Sequence, residues 1–98
     1  MKSKYVLLAS ALLISVATFA QKDQIKNAEK ALKGGDAQGA LAQLKDAENI
    51  IVNAKDTEQA QFYFVQGNAY LELANKKVEE SKNLSAAASS YKKLIDVN

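Results

Sequence analysis

Three observations predict an all-α fold built from antiparallel helix pairs. Apolar residues recur at alternating steps of three and four along most of the chain, the rhythm of one helix face. No segment alternates with the period of two that a half-buried strand needs. Ala, Leu, Lys, Gln and Glu dominate and Pro is absent, so intrinsic propensity points the same way. The breaks between apolar runs span only a few residues, which favours tight hairpins.

Residues 1–20 stand apart from the rest. Lys2 and Lys4 make a short positive start, Tyr5 to Val16 is uncharged and rich in Leu, Ala, Ile and Val, and Ala17-Thr18-Phe19-Ala20 supplies small residues before polar Gln21. This is the layout of a secretory signal peptide cleaved after Ala20, with cleavage after Ala17 as the alternative. A retained N-terminal anchor is the rival reading, because the uncharged run from Tyr5 to Gln21 reaches the low edge of a bilayer span. Ser10, Ser15 and Thr18 weaken that rival. The expected location is the periplasm or cell envelope of a bacterium, with membrane contact only through an uncleaved leader.

The remaining region, residues 21–98, divides into two helix pairs, 22–54 and 57–98. Asp23 to Lys33 forms the first helix, with Ile25, Ala28, Ala31 and Leu32 as its apolar stripe. Lysines crowd its last turn, where they suit the helix dipole. Gly34-Gly35 then offers a left-handed C-terminal turn, and Asp36 is placed to cap the next helix. That second helix runs from Ala37 to Val52 or Ala54, with Ala37, Ala40, Leu41, Leu44, Ala47, Ile51 and Ala54 on its apolar side.

The third helix opens at Asp56, which with Gln59 resembles a capping box. Ala60, Phe64, Gly67, Leu71, Ala74 and Val78 make one stripe of it, and Phe62, Val65, Ala69 and Leu73 make a second. An apolar arc this wide needs neighbours on more than one side. Gly67 sits mid-helix, where it costs about 1 kcal/mol relative to Ala, so its presence predicts close approach of another helix backbone. Phe62, Tyr63 and Tyr70 are expected in the core. With no breaker between Asn75 and Lys82, this helix is expected to reach Lys82, and Asn83 or Ser85 caps a last helix through Ala87, Tyr91, Leu94 and Ile95.

Composition excludes several chemistries. The chain has no His and no Cys, which removes the usual general base, the commonest metal ligand and any thiolate nucleophile. All thirteen cationic residues are lysine, two of them in the leader, which leaves eleven lysines against eleven acidic residues. A balanced chain without Arg argues against nucleic-acid binding. The acidic neighbours Asp46 and Glu48, Asp56 and Glu58, and Glu79 and Glu80 do not face one another on a helix, so they make no acid–base pair. Ser89 and Ser90 have no base to activate them. No enzyme activity and no cofactor are expected of this segment.

Gly67-Asn68-Ala69-Tyr70, with Tyr63 four residues before the glycine, resembles the first-helix motif of the tetratricopeptide repeat (TPR) family. Gly35-Asp36-Ala37 is similar to that family's turn without its aromatic. Ala40, Leu44 and Ala47 match the Ala, Phe and Ala positions of its second helix, and Ala87, Tyr91 and Leu94 take the same roles later. In the earlier unit Ala28 stands at the Gly position and Ala31 at the Tyr position, so the step from Ala28 to Gly67 is 39 residues against the family's 34, and the 17 residues from Tyr70 to Ala87, against nine from Ala31 to Ala40, imply a hairpin lengthened by about two helical turns. A generic helical bundle is the alternative. The resemblance implies a TPR-like α-solenoid segment. Two repeats fall short of the three that such stacks need, so the chain is expected to be an N-terminal fragment or to have its last helix covered by a partner.

The resemblance also implies a function. First helices of such repeats line a concave groove, which here would display Phe64, Asn68 and Glu72, with Ile25, Glu29 and Lys33 from the earlier unit. The expected role is an exported scaffold that binds a protein or peptide without catalysis. A structural spacer or oligomerisation module, and the repeat array of a larger envelope enzyme, are the alternatives.

Overall fold

A computed structural model describes residues 22–97, and the leader reading lies outside them. The described residues are helical throughout apart from three short connections. Helix α1 covers residues 22–33, α2 Ala37–Ile51, α3 Asp56–Asn75 and α4 Glu80–Asp96. No helix among them is long and apolar enough to cross a membrane.

The first hairpin forms as its sequence predicts. Gly35 adopts φ 87°, the Gly35 N–H donates to Leu32 O at 3.0 Å, and the Asp36 N–H donates to Ala31 O at 2.8 Å. This pair of bonds closes α1 with a left-handed residue that glycine takes without a Cβ penalty. Asp36 then turns outward to start α2, its Oδ1 accepting the Gly39 N–H at 2.9 Å, a cap worth about 1 kcal/mol.

The core lies between α1, α2 and α3. Ile25 and Ala28 of α1 meet Ala37, Ala40, Leu44, Ala47 and Ile51 of α2, and Phe62, Val65, Ala69 and Leu73 of α3 fill the remaining side. Leu44, Ile51 and Phe62 are the largest side chains fully removed from solvent, each contributing about 1.5–3 kcal/mol of transfer free energy. Tyr63 packs at the margin of this core, its ring meeting Phe62 edge to face at 5.3 Å. Tyr70 is half-buried and lies outside this cluster.

Helices α1 and α3 run side by side in the same direction. Lys22 pairs with Glu58 at 3.4 Å, Gln61 donates to Glu29, and Lys76 Nζ donates to Gly35 O at 3.0 Å, so partners advance together along both helices. Gln59 does not close a capping box. The helix starts one residue earlier than that motif requires, with Lys55 at the N-cap, and Gln59 Nε2 instead donates to Val52 O and Ala54 O in the preceding connection.

The second hairpin departs from expectation at its turn. Helix α3 stops at Asn75 rather than Lys82, and α4 begins at Glu80 rather than after Asn83 or Ser85. The Val78 N–H donates to Leu73 O at 2.9 Å and the Lys77 N–H to Ala74 O at 3.0 Å, the same closure that ends α1. Here the left-handed position is Lys77, at φ 66°, and Glu79 follows at φ 39°. Asn83 is therefore inside α4, buried, with Nδ2 donating to Val78 O at 2.6 Å.

The earlier start of α4 also moves its register. Ala40, Leu44 and Ala47 of α2 correspond in burial to Asn83, Ala87 and Ser90 of α4, one turn before the expected Ala87, Tyr91 and Leu94. The hairpin is long, with 20 residues in α3 and 17 in α4 against 15 in α2. Its inward face is smaller and more polar than that of α2, and α4 contributes nothing to the main core cluster.

Candidate functional site

The two stripes of α3 have different neighbours. Phe62, Val65, Ala69 and Leu73 face α1 and α2, while Gly67 is buried on the side where Tyr91 of α4 packs. Gly67 is explained by a side chain rather than by a neighbouring backbone. A Cβ built there would lie 2.5 Å from Tyr91 Cε1 and 2.8 Å from Cδ1. Tyr91 fills the space at the glycine.

Polar contacts hold α4 on α3. The Tyr91 hydroxyl donates to Asn68 Oδ1 at 2.5 Å, and Ser90 Oγ donates to Gln66 Oε1 at 2.9 Å. Lys93 Nζ sits 5.8 Å from the centre of the Tyr63 ring, within range of a cation–π attraction. Lys93 lies beside Tyr63 near the start of α3 while Ser90 and Tyr91 reach Gln66 and Asn68 further along it, as an antiparallel hairpin requires.

Burial pushes the Tyr91 phenol above its ordinary pKa of 10.0. The folded chain therefore keeps this proton after the unfolded chain has released it. The stability Tyr91 contributes is fully present below about pH 10 and is lost as pH rises through the higher folded-state value. Urea melts followed by circular dichroism above pH 10 are expected to show the loss, and Tyr91→Phe to reduce it.

The expected groove residues divide into three groups. Phe64 is 52% exposed although it lies one turn from buried Gly67, which leaves an aromatic ring on the open face of α3. Asn68, one turn further on, is tied to Tyr91, and Glu72 pairs with Lys76 at 3.3 Å. From α1, Glu29 accepts a hydrogen bond from Gln61, bringing it beside the Phe64 face, and Lys33 is exposed in the last turn. Ile25 corrects the sequence reading. It is 3% exposed and belongs to the core, because it lies on the α1 stripe that α2 covers.

A separate hollow of about 390 Å³ opens between α2 and α3, lined by Gln38, Leu41, Ala42, Lys45, Glu48, Gln66 and Tyr70. Tyr70 was expected in the core, and its place is at this margin. Among the described residues no group of His, Cys, Asp and Glu is arranged to hold a metal ion. No family model, curated protein or solved structure matches the chain.

Proposed function

We propose that this chain is an exported helical-repeat scaffold of the TPR type, which binds a protein or peptide across the open face of α3 and performs no catalysis. One observation carries the reading. Phe64 stands 52% exposed on a helix whose other apolar stripe is buried, and polar Asn68 and Glu72 follow it at one-turn intervals. An exposed aromatic beside hydrogen-bonding groups is the composition of a binding hot spot. The parallel run of α1 and α3, with Glu29 beside Gln61, supports a shared surface formed by the first helices of two units. Export rests on the leader and is the second half of the same proposal.

The experiment is affinity capture from a cell-envelope extract with the full chain as bait. Phe64→Ala is expected to weaken capture of a partner about tenfold while leaving helicity unchanged, because the ring lies outside the core. Undiminished capture would sink the groove assignment. Mass spectrometry of the same recovered chain reads export directly, with an N-terminus at Gln21 expected and an intact Met1 contradicting it.

A further inference from the structure

The connection between α3 and α4 is made of residues that do not favour a turn. Lys76-Lys77-Val78-Glu79 contains no Gly, Pro, Asn, Asp or Ser, and Lys and Glu are good helix formers. Lys77 is nevertheless held at φ 66° and Glu79 at φ 39°, ψ 57°, the left-handed region that a Cβ disfavours. The first hairpin makes the same closure with Gly35, and Asp36 caps the helix that follows. Here Glu79 stands at the N-cap and makes no side-chain cap bond. All four connecting residues are exposed, so no packing holds them in the bend.

The interface that this hinge closes is self-contained. Helix α4 packs on α3, does not meet α2, and contributes no residue to the main core cluster. Its holding contacts are Tyr91 on Gly67, the Tyr91 hydroxyl on Asn68, Ser90 on Gln66 and Lys93 over the Tyr63 ring, and each joins α4 to α3 alone. An α4 supplied by another copy of the chain makes every one of them equally well. Opening the hinge gives up the Asn83 bond to Val78 O and the Lys77–Glu80 pair, and it frees two residues from the left-handed region. A short strained hinge beside an interface that transfers whole is the arrangement that favours exchange of an element between protomers. We infer that two copies of this chain exchange α4, each laying it on the Gly67 face of the other's α3.

The test uses the full chain as recovered from producing cells, with Tyr63→Cys and Lys93→Cys facing each other across the α3–α4 interface of a protein that has no native cysteine. The chain is refolded from urea at low and at high concentration and then joined by a short bis-maleimide. Exchange of α4 puts the two thiols of each interface on different copies. It is therefore expected to give twice the protomer mass both by light scattering and on a denaturing gel, in a share that rises with the refolding concentration. Lys77→Gly with Glu79→Gly relaxes the closed hinge and is expected to lower that share about tenfold or more at unchanged helicity. Lys77→Ala with Glu79→Ala is expected to retain it. A single protomer mass in both measurements would overturn the inference. So would a doubled mass by scattering with a single mass on the gel, the mark of an ordinary side-by-side dimer, or an unchanged share in the glycine variant. None of these readouts involves Phe64, so this inference and the binding face fail separately.

Discussion

Phe62→Ala is expected to cost about 3–5 kcal/mol, the largest effect of any single substitution considered, because it deletes a ring that is 1% exposed. Phe62 is where the three core helices meet. It belongs to the cluster containing Ile25 and Ala28 of α1 and Leu44 and Ile51 of α2, and it also supports the Tyr63 ring. Small neighbours such as Ala28, Ala40 and Ala47 cannot reach into the space it would leave, so the cavity would stay open. In a chain this short the loss is comparable to the whole stability, and thermal melts should show a broad, early transition or none. A cooperative melt within a few degrees of the parent would contradict the core described here.

Gly67→Ala is expected to destabilise by about 1–3 kcal/mol, although alanine is the better helix former by about 1 kcal/mol. The added methyl would meet the Tyr91 ring at 2.5 Å, and that ring is tethered by its hydroxyl to Asn68. The sign should reverse when the ring is removed. In a Tyr91→Ala background the three nearest atoms are gone and the same substitution should stabilise, by up to the propensity difference of about 1 kcal/mol. Urea melts of the four chains make a double-mutant cycle. An unchanged sign in both backgrounds would remove Tyr91 as the reason for the glycine.

Much of the first hairpin was legible in the sequence because its signals are local. Gly35 is the one position at the end of α1 that needs a left-handed residue, and Asp36 accepts from Gly39 three residues on. The steps of three and four in α2 name its buried residues Ala37, Ala40, Leu44, Ala47 and Ile51, although Leu41 is only partly buried and the helix ends at Ile51, before the expected Val52 or Ala54. The second hairpin was harder to read because the same closure uses Lys77, a residue that carries no turn signal. With the stop hidden, α3 looked longer and α4 shorter, and Asn83 looked like a cap when it is a buried side chain bonded to Val78 O.

The candidate site shows the same division. Close approach at Gly67 was readable from a glycine in mid-helix, but its neighbour is Tyr91, 24 residues away, and local spacing does not reveal which side chain will arrive. Phe64 shares a stripe with Gly67, so periodicity alone does not separate its 52% exposure from the burial of the glycine. Ile25 was misplaced by carrying over a groove position from the family resemblance. Its own apolar stripe with Ala28 and Leu32 already pointed inward.

The surface claim rests on Phe64, and replacing it with a photo-crosslinking phenylalanine analogue in producing cells tests that claim most directly. Irradiation is expected to give one discrete adduct between this chain and a different protein, and the same analogue at Lys45 on α2 is expected to give none. No adduct from position 64, or equal labelling from both positions, would contradict a binding role for the open face of α3.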